Sequence, residues 1–284
     1  MKQLDKIGAE AVEAKGFFKA YKWLILRRIS QISIMVLFLL GPLAGIWIVK
    51  GNLASSLILD TVPLGEPLLL LQTLAAGFVP LSTMVLGTVI VVLFYMLVGG
   101  RVYCSWFCPI NIVTDSANWL RERLNVSGSI HFARKSRYWI LLMVVLLPLF
   151  TGTMAYESVN PVPMVHRGII FGAGMAWTMV VAIFLFDLFV QRKGWCGHIC
   201  PMGALYSVIG TVSPLRVRAD KREACDDCME CFAVCPEPQV IKPALKGAEK
   251  GIGPVINAST CTNCGRCIDI CAEEVFHFGF RKPN

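Results

Sequence analysis

"CDDCMECFAVCPEP" (Cys225–Pro238) and "CTNCGRCIDIC" (Cys261–Cys271) decide how the last quarter of this 284-residue chain folds. Each contains the run Cys-x2-Cys-x2-Cys-x3-Cys, at Cys225, Cys228, Cys231 and Cys235 and again at Cys261, Cys264, Cys267 and Cys271. Three cysteines at two-residue gaps wrap a tight loop and present three thiolates to one centre. The fourth is carried onward. Pro236 follows the first run, whereas Ala272 stands at the equivalent place after the second.

This is the spacing of bacterial two-cluster ferredoxins, in which the fourth cysteine of each run ligates the other cluster. On that rule Cys225, Cys228, Cys231 and Cys271 hold one 4Fe-4S cluster, and Cys261, Cys264, Cys267 and Cys235 hold a second. Structural zinc favours separated Cys-x2-4-Cys pairs over three closely packed cysteines, so it is the weaker reading. The intervening stretch Glu237–Ser259, with several Pro and Gly, reads as a connecting loop longer than a minimal ferredoxin needs.

Upstream of these runs the composition changes character. Hydrophobic residues make up 55% of the chain and charged residues only 16%, with a mean hydropathy of +0.61. That is too apolar for an ordinary soluble domain. The net charge of +8 raises nucleic acid as a partner. The basic residues, however, cluster beside apolar runs rather than forming a stripe, which speaks for membrane topology and against nucleic-acid binding.

Four apolar runs are long enough to cross a hydrocarbon core about 30 Å thick: Ile29–Val49, Pro80–Gly100, Tyr138–Tyr156 and Ile169–Val190. The patchily apolar Leu53–Gln72 is interrupted by Asp60, Pro63, Glu66 and Pro67, and reads as an external, partly interfacial loop. Lys and Arg mark cytoplasmic loops. They crowd the N-terminal segment (Lys15, Lys19, Lys22, Arg27, Arg28) and the second loop (Arg101, Arg121, Arg123, Arg134, Lys135, Arg137). Both chain termini are therefore expected in the cytoplasm. No cleavable signal peptide is expected, and the first span reads as a retained anchor.

The predicted architecture is an α-helical, multi-pass protein of the bacterial inner membrane. It comprises a cytoplasmic N-terminal segment (1–28), a four-span domain (29–215) and a cytoplasmic two-cluster ferredoxin-like domain (216–284).

All twelve cysteines fall on the side assigned to the reducing cytoplasm, which argues for metal or redox chemistry over disulfides. The four outside the tail form two Cys-x3-Cys-Pro motifs, "VYCSWFCPIN" (Cys104, Cys108) and "GWCGHICPMG" (Cys196, Cys200), 92 residues apart (196 minus 104). Each follows a span and precedes a candidate amphipathic helix, so the halves read as a loose repeat. The spacing puts each pair on one helical face. Together the four thiols could complete a third cluster; a redox disulfide, a docking site or two structural pairs stay open as alternatives.

These residues carry a resemblance. Four spans, the two Cys-x3-Cys-Pro motifs, "LILDTVPLGEPL", "CSWFCPINIVTDSANWL", "GWCGHICPMGALY" and "CMECFAVCPEP" closely resemble the NapH family, the membrane quinol dehydrogenase component of periplasmic nitrate reduction. NosR- and CcoG-type membrane ferredoxins lie in the same wider group. The resemblance implies an electron-transfer component with quinol dehydrogenase activity, oxidising menaquinol or ubiquinol. It implies partners too: a periplasmic iron–sulfur subunit and a membrane-anchored multihaem cytochrome. The other implied role is an accessory ferredoxin that maintains another metalloenzyme.

Quinol oxidation releases two protons, so its site should offer an ionisable group at membrane depth. Asp187 is the acidic residue inside a predicted span, and His198 lies within the second Cys-x3-Cys-Pro motif. Both are candidate proton acceptors. Against them stand snorkelling of Asp187 towards Arg192 and a solvated loop position for His198. Glu66, Glu157 and His166, on the outer side, form a second set. Arg101 and Trp106 read as markers of the membrane interface.

Overall fold

The computed structural model describes residues 7–126, 132–172 and 174–281. Two short helices, α1 (Ala9–Lys15) and α2 (Phe17–Ala20), lead into the long apolar α3 (Lys22–Ala44). A three-stranded antiparallel meander follows, β1 (Val49–Gly51), β2 (Ser55–Ile58) and β3 (Val62–Gly65). Next come α4 (Pro67–Ala75), α5 (Ser82–Val98), α6 (Ile110–Arg123), α7 (Ser136–Thr151), α8 (Ala155–Val159), α9 (Pro161–Phe171), α10 (Gly174–Leu185) and α11 (Pro201–Ile209). The tail holds β4 (Leu215–Arg218), α12 (Glu230–Val234), α13 (Ile241–Lys246), α14 (Arg266–Ile270) and β5 (His277–Phe280). The chain is thus mostly helical.

It divides into two compact units that interleave along the sequence. The first contains residues 1–30, 95–106 and 206–284; the second contains 31–94 and 107–205. Both α3 and α5 contribute residues to each unit.

In the first unit, β4 and β5 pair antiparallel with Val217 opposite Phe278. Behind them lies a core of Val217, Val240, Ile241, Leu245, Ile256, Ile270, Val275 and Phe276, together with Cys231 and Cys267. Glu237–Ser259 is therefore more than a connecting loop. It supplies α13 and five of those or neighbouring core residues, Val240, Ile241, Ala244, Leu245 and Ile256. Its apolar residues come in a cluster too short for a periodicity to declare itself.

The N-terminal segment packs into the same unit. The Gly8 amide donates to Glu230 (3.1 Å), and Lys15 donates to the Ile268 and Asp269 carbonyls (3.1 and 3.0 Å). The amides of Trp23 and Leu24, in the first turn of α3, donate to the two carboxylate oxygens of Asp269 (3.0 and 2.9 Å). A helix start leaves such amides without intrahelical partners, and an anion there also meets the positive end of the helix dipole. Trp23 packs edge-on against Phe278, ring centres 4.7 Å apart.

In the second unit, α4 packs along α7, where Gln72 Nε2 donates to the Val144 carbonyl in mid-helix (3.2 Å). Leu53–Gln72 is consequently an ordered meander followed by a helix laid against an apolar neighbour. Gly87 on α5 lets that helix approach β3: a Cβ there would stand 2.9 Å from the Gly65 amide.

All four predicted spans are helical over most of their length, but their limits differ. Among the described helices, α3 (23 residues, mean hydropathy 1.7) is the one long and apolar enough by itself to cross a bilayer. Ser82–Val98, Ser136–Thr151 and Gly174–Val190 are shorter apolar helices. Left-handed glycines set the new boundaries. Gly152 (φ 65°) ends α7 before Tyr156, and Gly172 (φ 64°) separates α9 from α10 within the expected fourth span. Hydropathy counts apolar residues without seeing these stops.

Candidate iron–sulfur and redox sites

Each cysteine run is shaped by two left-handed residues. Asp227 (φ 64°) and Met229 (φ 61°) flank Cys228, and Asn263 (φ 45°) and Gly265 (φ 75°) flank Cys264. Asp, Asn and Gly visit this region at low cost. Met229 does so at an expense of order 1 kcal/mol. Alternating handedness turns successive amides to one side, the arrangement by which backbone cradles anionic centres, iron–sulfur clusters among them. The symmetry extends to the side chains, with Cys225 Sγ 3.6 Å from Asp227 Oδ1 and Cys261 Sγ 3.6 Å from Asn263 Oδ1.

The loops enclose two cavities. Cys225, Cys228, Cys231 and Cys271 line one, with Phe232, Leu245 and Phe276. Cys235, Cys261, Cys264 and Cys267 line the other, with Val217, Ile241 and Ile256. The grouping is the crossed one, three cysteines from one run and the fourth from the other. Among the described residues no three His, Cys, Asp or Glu side chains converge as a single metal ion would require. Four sulfurs around a small apolar cavity suit a polynuclear cube.

Burial pushes the Cys231 thiol up to about 12, helped by Cys228, Cys271 and Cys225 around it. Burial likewise takes Cys261 to about 11. Thiolates crowded in this way need a multiply charged cationic partner, which an iron–sulfur core supplies.

The chain around Cys104, at the start of the first Cys-x3-Cys-Pro motif, is bolted to the second of these loops within the first unit. Arg101 Nη1 donates to the Thr260 carbonyl (2.7 Å) and pairs with Glu237 (2.7 Å), both side chains almost wholly buried. Ser105 Oγ donates to the Thr262 carbonyl (2.8 Å), and Trp106 Nε1 donates to the Asn263 carbonyl (3.1 Å). Cys104 lies between these anchors and Cys261 lies between their acceptors. Arg101 and Trp106 are thus structural clamps in place of the interface markers their sequence context suggested. Behind them Tyr103 stacks on Tyr206 at 4.5 Å, with Tyr95 edge-on to both.

Neither cysteine pair sits on a regular α-helical face. Cys104 lies in a π turn, Tyr103–Phe107, and Cys196 in another, Trp195–Ile199. Cys108 and Cys200 follow those turns, Cys200 in an extended conformation (φ −61°, ψ 113°). Pro109 and Pro201 explain the break, since proline disfavours helical backbone at the residue before it. Such π turns concentrate at functional sites.

Cys108, Cys196 and Cys200 belong to the second unit. There Asp187, fully buried, accepts the Trp195 amide on Oδ1 (2.9 Å) and so fixes the turn that carries Cys196. Lys193 pairs with Asp115 (3.1 Å), and Arg192 bonds Asn118 (2.8 Å) and Glu122 (3.1 Å). His198 is buried beside Gln191, whose Nε2 stands 3.0 Å from its Nε2, and its carbonyl accepts Ser136 Oγ (2.6 Å). A solvated position for His198 is thereby replaced by a packed one.

A second polar group in this unit was legible only in part. Glu66 caps α4 but turns its carboxyl inward; the residue is 5% exposed. Burial, with the charge of Glu157, raises its pKa to about 8. Tyr156 lies within electrostatic reach of Glu66 and Glu157, and also of Cys108 and Cys200. His166 is buried edge-on to Phe38, ring centres 5.3 Å apart. Tyr156 carried no sequence signal, because a tyrosine at the end of an apolar run is ordinary.

Two crossed cysteine cavities with inward-turned amides define a ferredoxin-type 4Fe-4S protein. Residues 224–275 match the family described as "4Fe-4S dicluster domain", and residues 81–127 and 172–219 each match "4Fe-4S binding domain". The chain is 49% identical to the methylamine utilization ferredoxin-type protein MauN of Methylorubrum extorquens over 96% of its length and 94% of that protein. It is 44% identical to the ferredoxin-type protein NapH of Escherichia coli (95% and 93% covered) and to that of Haemophilus influenzae (96% and 95%). The chain belongs to the NapH/MauN family of ferredoxin-type proteins. No solved structure matches it.

Proposed function

We propose that this protein is a multi-pass subunit of the bacterial inner membrane that oxidises menaquinol or ubiquinol and passes the electrons through iron–sulfur clusters to partner proteins. The observation that carries the reading is the clamp of Arg101, Ser105 and Trp106 on Thr260–Asn263. It ties the motif of Cys104 directly to the loop of Cys261, and electron transfer needs its centres held at fixed separations. Cys225, Cys228, Cys231 and Cys271 hold one 4Fe-4S cluster; Cys235, Cys261, Cys264 and Cys267 hold the second. Bound clusters of this type accept and release single electrons.

Cys104, Cys108, Cys196 and Cys200 hold a third cluster in this reading. Its support is the match of both repeats to a 4Fe-4S binding family and the π turn that each repeat places at its first cysteine. Asp187 and His198, the candidate proton acceptors, act here as positioning residues for the second repeat. Exposed apolar side chains along the shorter helices, such as Leu93 and Leu97 on α5 and Met143 and Phe150 on α7, support four lipid-facing spans, and the Lys and Arg of the N-terminal segment and second loop support both termini in the cytoplasm.

For the partner, NapH relatives favour periplasmic nitrate reduction, through a periplasmic iron–sulfur subunit and a membrane-anchored multihaem cytochrome. The higher identity to MauN favours a second reading, an accessory ferredoxin serving the enzyme of methylamine use. Anaerobically purified protein decides whether quinol is the donor. Decylubiquinol or menadiol is expected to bleach the cluster absorbance. Dithionite reduction without any reduction by either quinol would leave the accessory role.

A further inference from the structure

Among the described residues of the second unit, several buried polar atoms have no protein partner: Glu66 Oε1, Thr88 Oγ1, Tyr156 Oη and His166 Nε2. A buried polar atom left without a partner costs about 1–3 kcal/mol, so a group of them marks a place where something else binds. The fold brings the neighbours of three of them together. Gly65 precedes Glu66 and touches α5 at Thr88, where a Cβ would stand 2.8 Å from Oγ1. On α4, Thr73 Oγ1 approaches Met154 Sδ (3.4 Å), two residues before Tyr156. The helix that Glu66 caps thus lies beside the segment that carries Tyr156.

The surroundings are otherwise apolar. Leu68, two residues after Glu66, is buried, and Leu71 and Leu74 lie exposed on α4, the kind of surface an isoprenoid tail lies along. Tyr156 lies within electrostatic reach of Glu66 and of Cys108 and Cys200, one from each repeat.

We infer that Glu66 and Tyr156 form the hydroquinone headgroup site, Tyr156 hydrogen-bonding a ring oxygen and Glu66 accepting a proton from the ring hydroxyl. The inference rests on the quinol-oxidising role proposed above. Oxidation converts the hydroquinone to the quinone with loss of two protons and two electrons. Both O–H bonds break and two C=O bonds form. One proton goes to the Glu66 carboxylate and the other to solvent, and the electrons leave singly to the iron–sulfur acceptor proposed at Cys108 and Cys200. A general base works best with a pKa near the operating pH, which burial gives Glu66.

The test uses the full-length holoprotein with Glu66→Gln and Tyr156→Phe. Decylubiquinol-driven cluster reduction is expected to fall about 10²-fold in kcat for Glu66→Gln. For Tyr156→Phe the loss is mainly a rise of roughly tenfold in KM, the value of one hydrogen bond. Iron content and reduction by dithionite stay at wild-type levels in both. A second readout needs no turnover: fluorescence quenching of 2-heptyl-4-hydroxyquinoline N-oxide should report weaker binding to both variants. Wild-type quinol kinetics in both variants, with unchanged inhibitor binding, would overturn the site. A wild-type protein that no quinol reduces would instead overturn the role on which the site rests.

Discussion

Arg101 and Glu237 form an ion pair 2.7 Å long whose side chains are 2% and 3% exposed. The pair joins the chain entering the first Cys-x3-Cys-Pro motif to the stretch between the two cysteine runs. Desolvation offsets much of the attraction in such a pair, but removing one partner leaves the other charge buried and costs about 3–5 kcal/mol. Arg101→Met also strips the Thr260 carbonyl of its donor, adding about 1 kcal/mol. Gln239 Nε2 still donates to Glu237 (2.7 Å), which moderates the loss. At roughly 4 °C per kcal/mol for a unit of this size, each single substitution, Arg101→Met or Glu237→Leu, should lower Tm by roughly 12–20 °C. The double variant removes both charges and should recover more than half of the summed loss, a coupling of about 3 kcal/mol or more. The assay is thermal loss of the visible iron–sulfur absorbance in detergent, followed under argon. Single variants within 2 °C of wild type (about 0.5 kcal/mol), or a double variant whose loss equals the sum, would refute the buried pairing.

Asp269→Ala should cost about 2–3 kcal/mol, two charge-assisted hydrogen bonds and a favourable dipole contact at the start of α3, and Asp269→Asn about half as much, both read as Tm shifts of the same absorbance. Glu66 binds its proton more tightly in the folded chain, with a pKa of about 8, than in the unfolded one, near 4.5. Between those limits the folded state holds the extra proton, so its stability falls as pH rises, at up to about 1.4 kcal/mol per pH unit. Glu66→Gln should abolish that slope between pH 6 and 8 in a Tm–pH series. Replacing Cys104, Cys108, Cys196 and Cys200 with Ser should remove about four iron atoms per chain if they hold one cube. Unchanged iron and sulfide analysis would reject the third cluster.

The crossed grouping of the tail cysteines was legible because their spacing matches the two-cluster ferredoxin rule, and the two cavities gather the same sets of cysteines. Cys104 and Cys196 were legible as a repeat but not in conformation, since x3 spacing suits an α-helical face and only the following prolines hinted at a break. Arg101 misled, because a basic residue at the end of an apolar run looks the same whether it faces lipid headgroups or a buried carboxylate 136 residues away. Glu66 was visible as an odd acid before a proline. Tyr156 acquires meaning only when α4 and α8 are brought together, which no local pattern encodes.

The contact of Asp269 with Trp23 and Leu24 has a bearing on biosynthesis. During translation α3 leaves the ribosome long before the carboxylate that caps it exists, since about 245 residues separate them. Until then its leading amides must rely on water or lipid headgroups. Completion of the second cysteine run and final seating of α3 are therefore one event. A chain that stops short of the second cysteine run would leave the start of α3 uncapped, an exposed helix end that quality-control proteases can recognise.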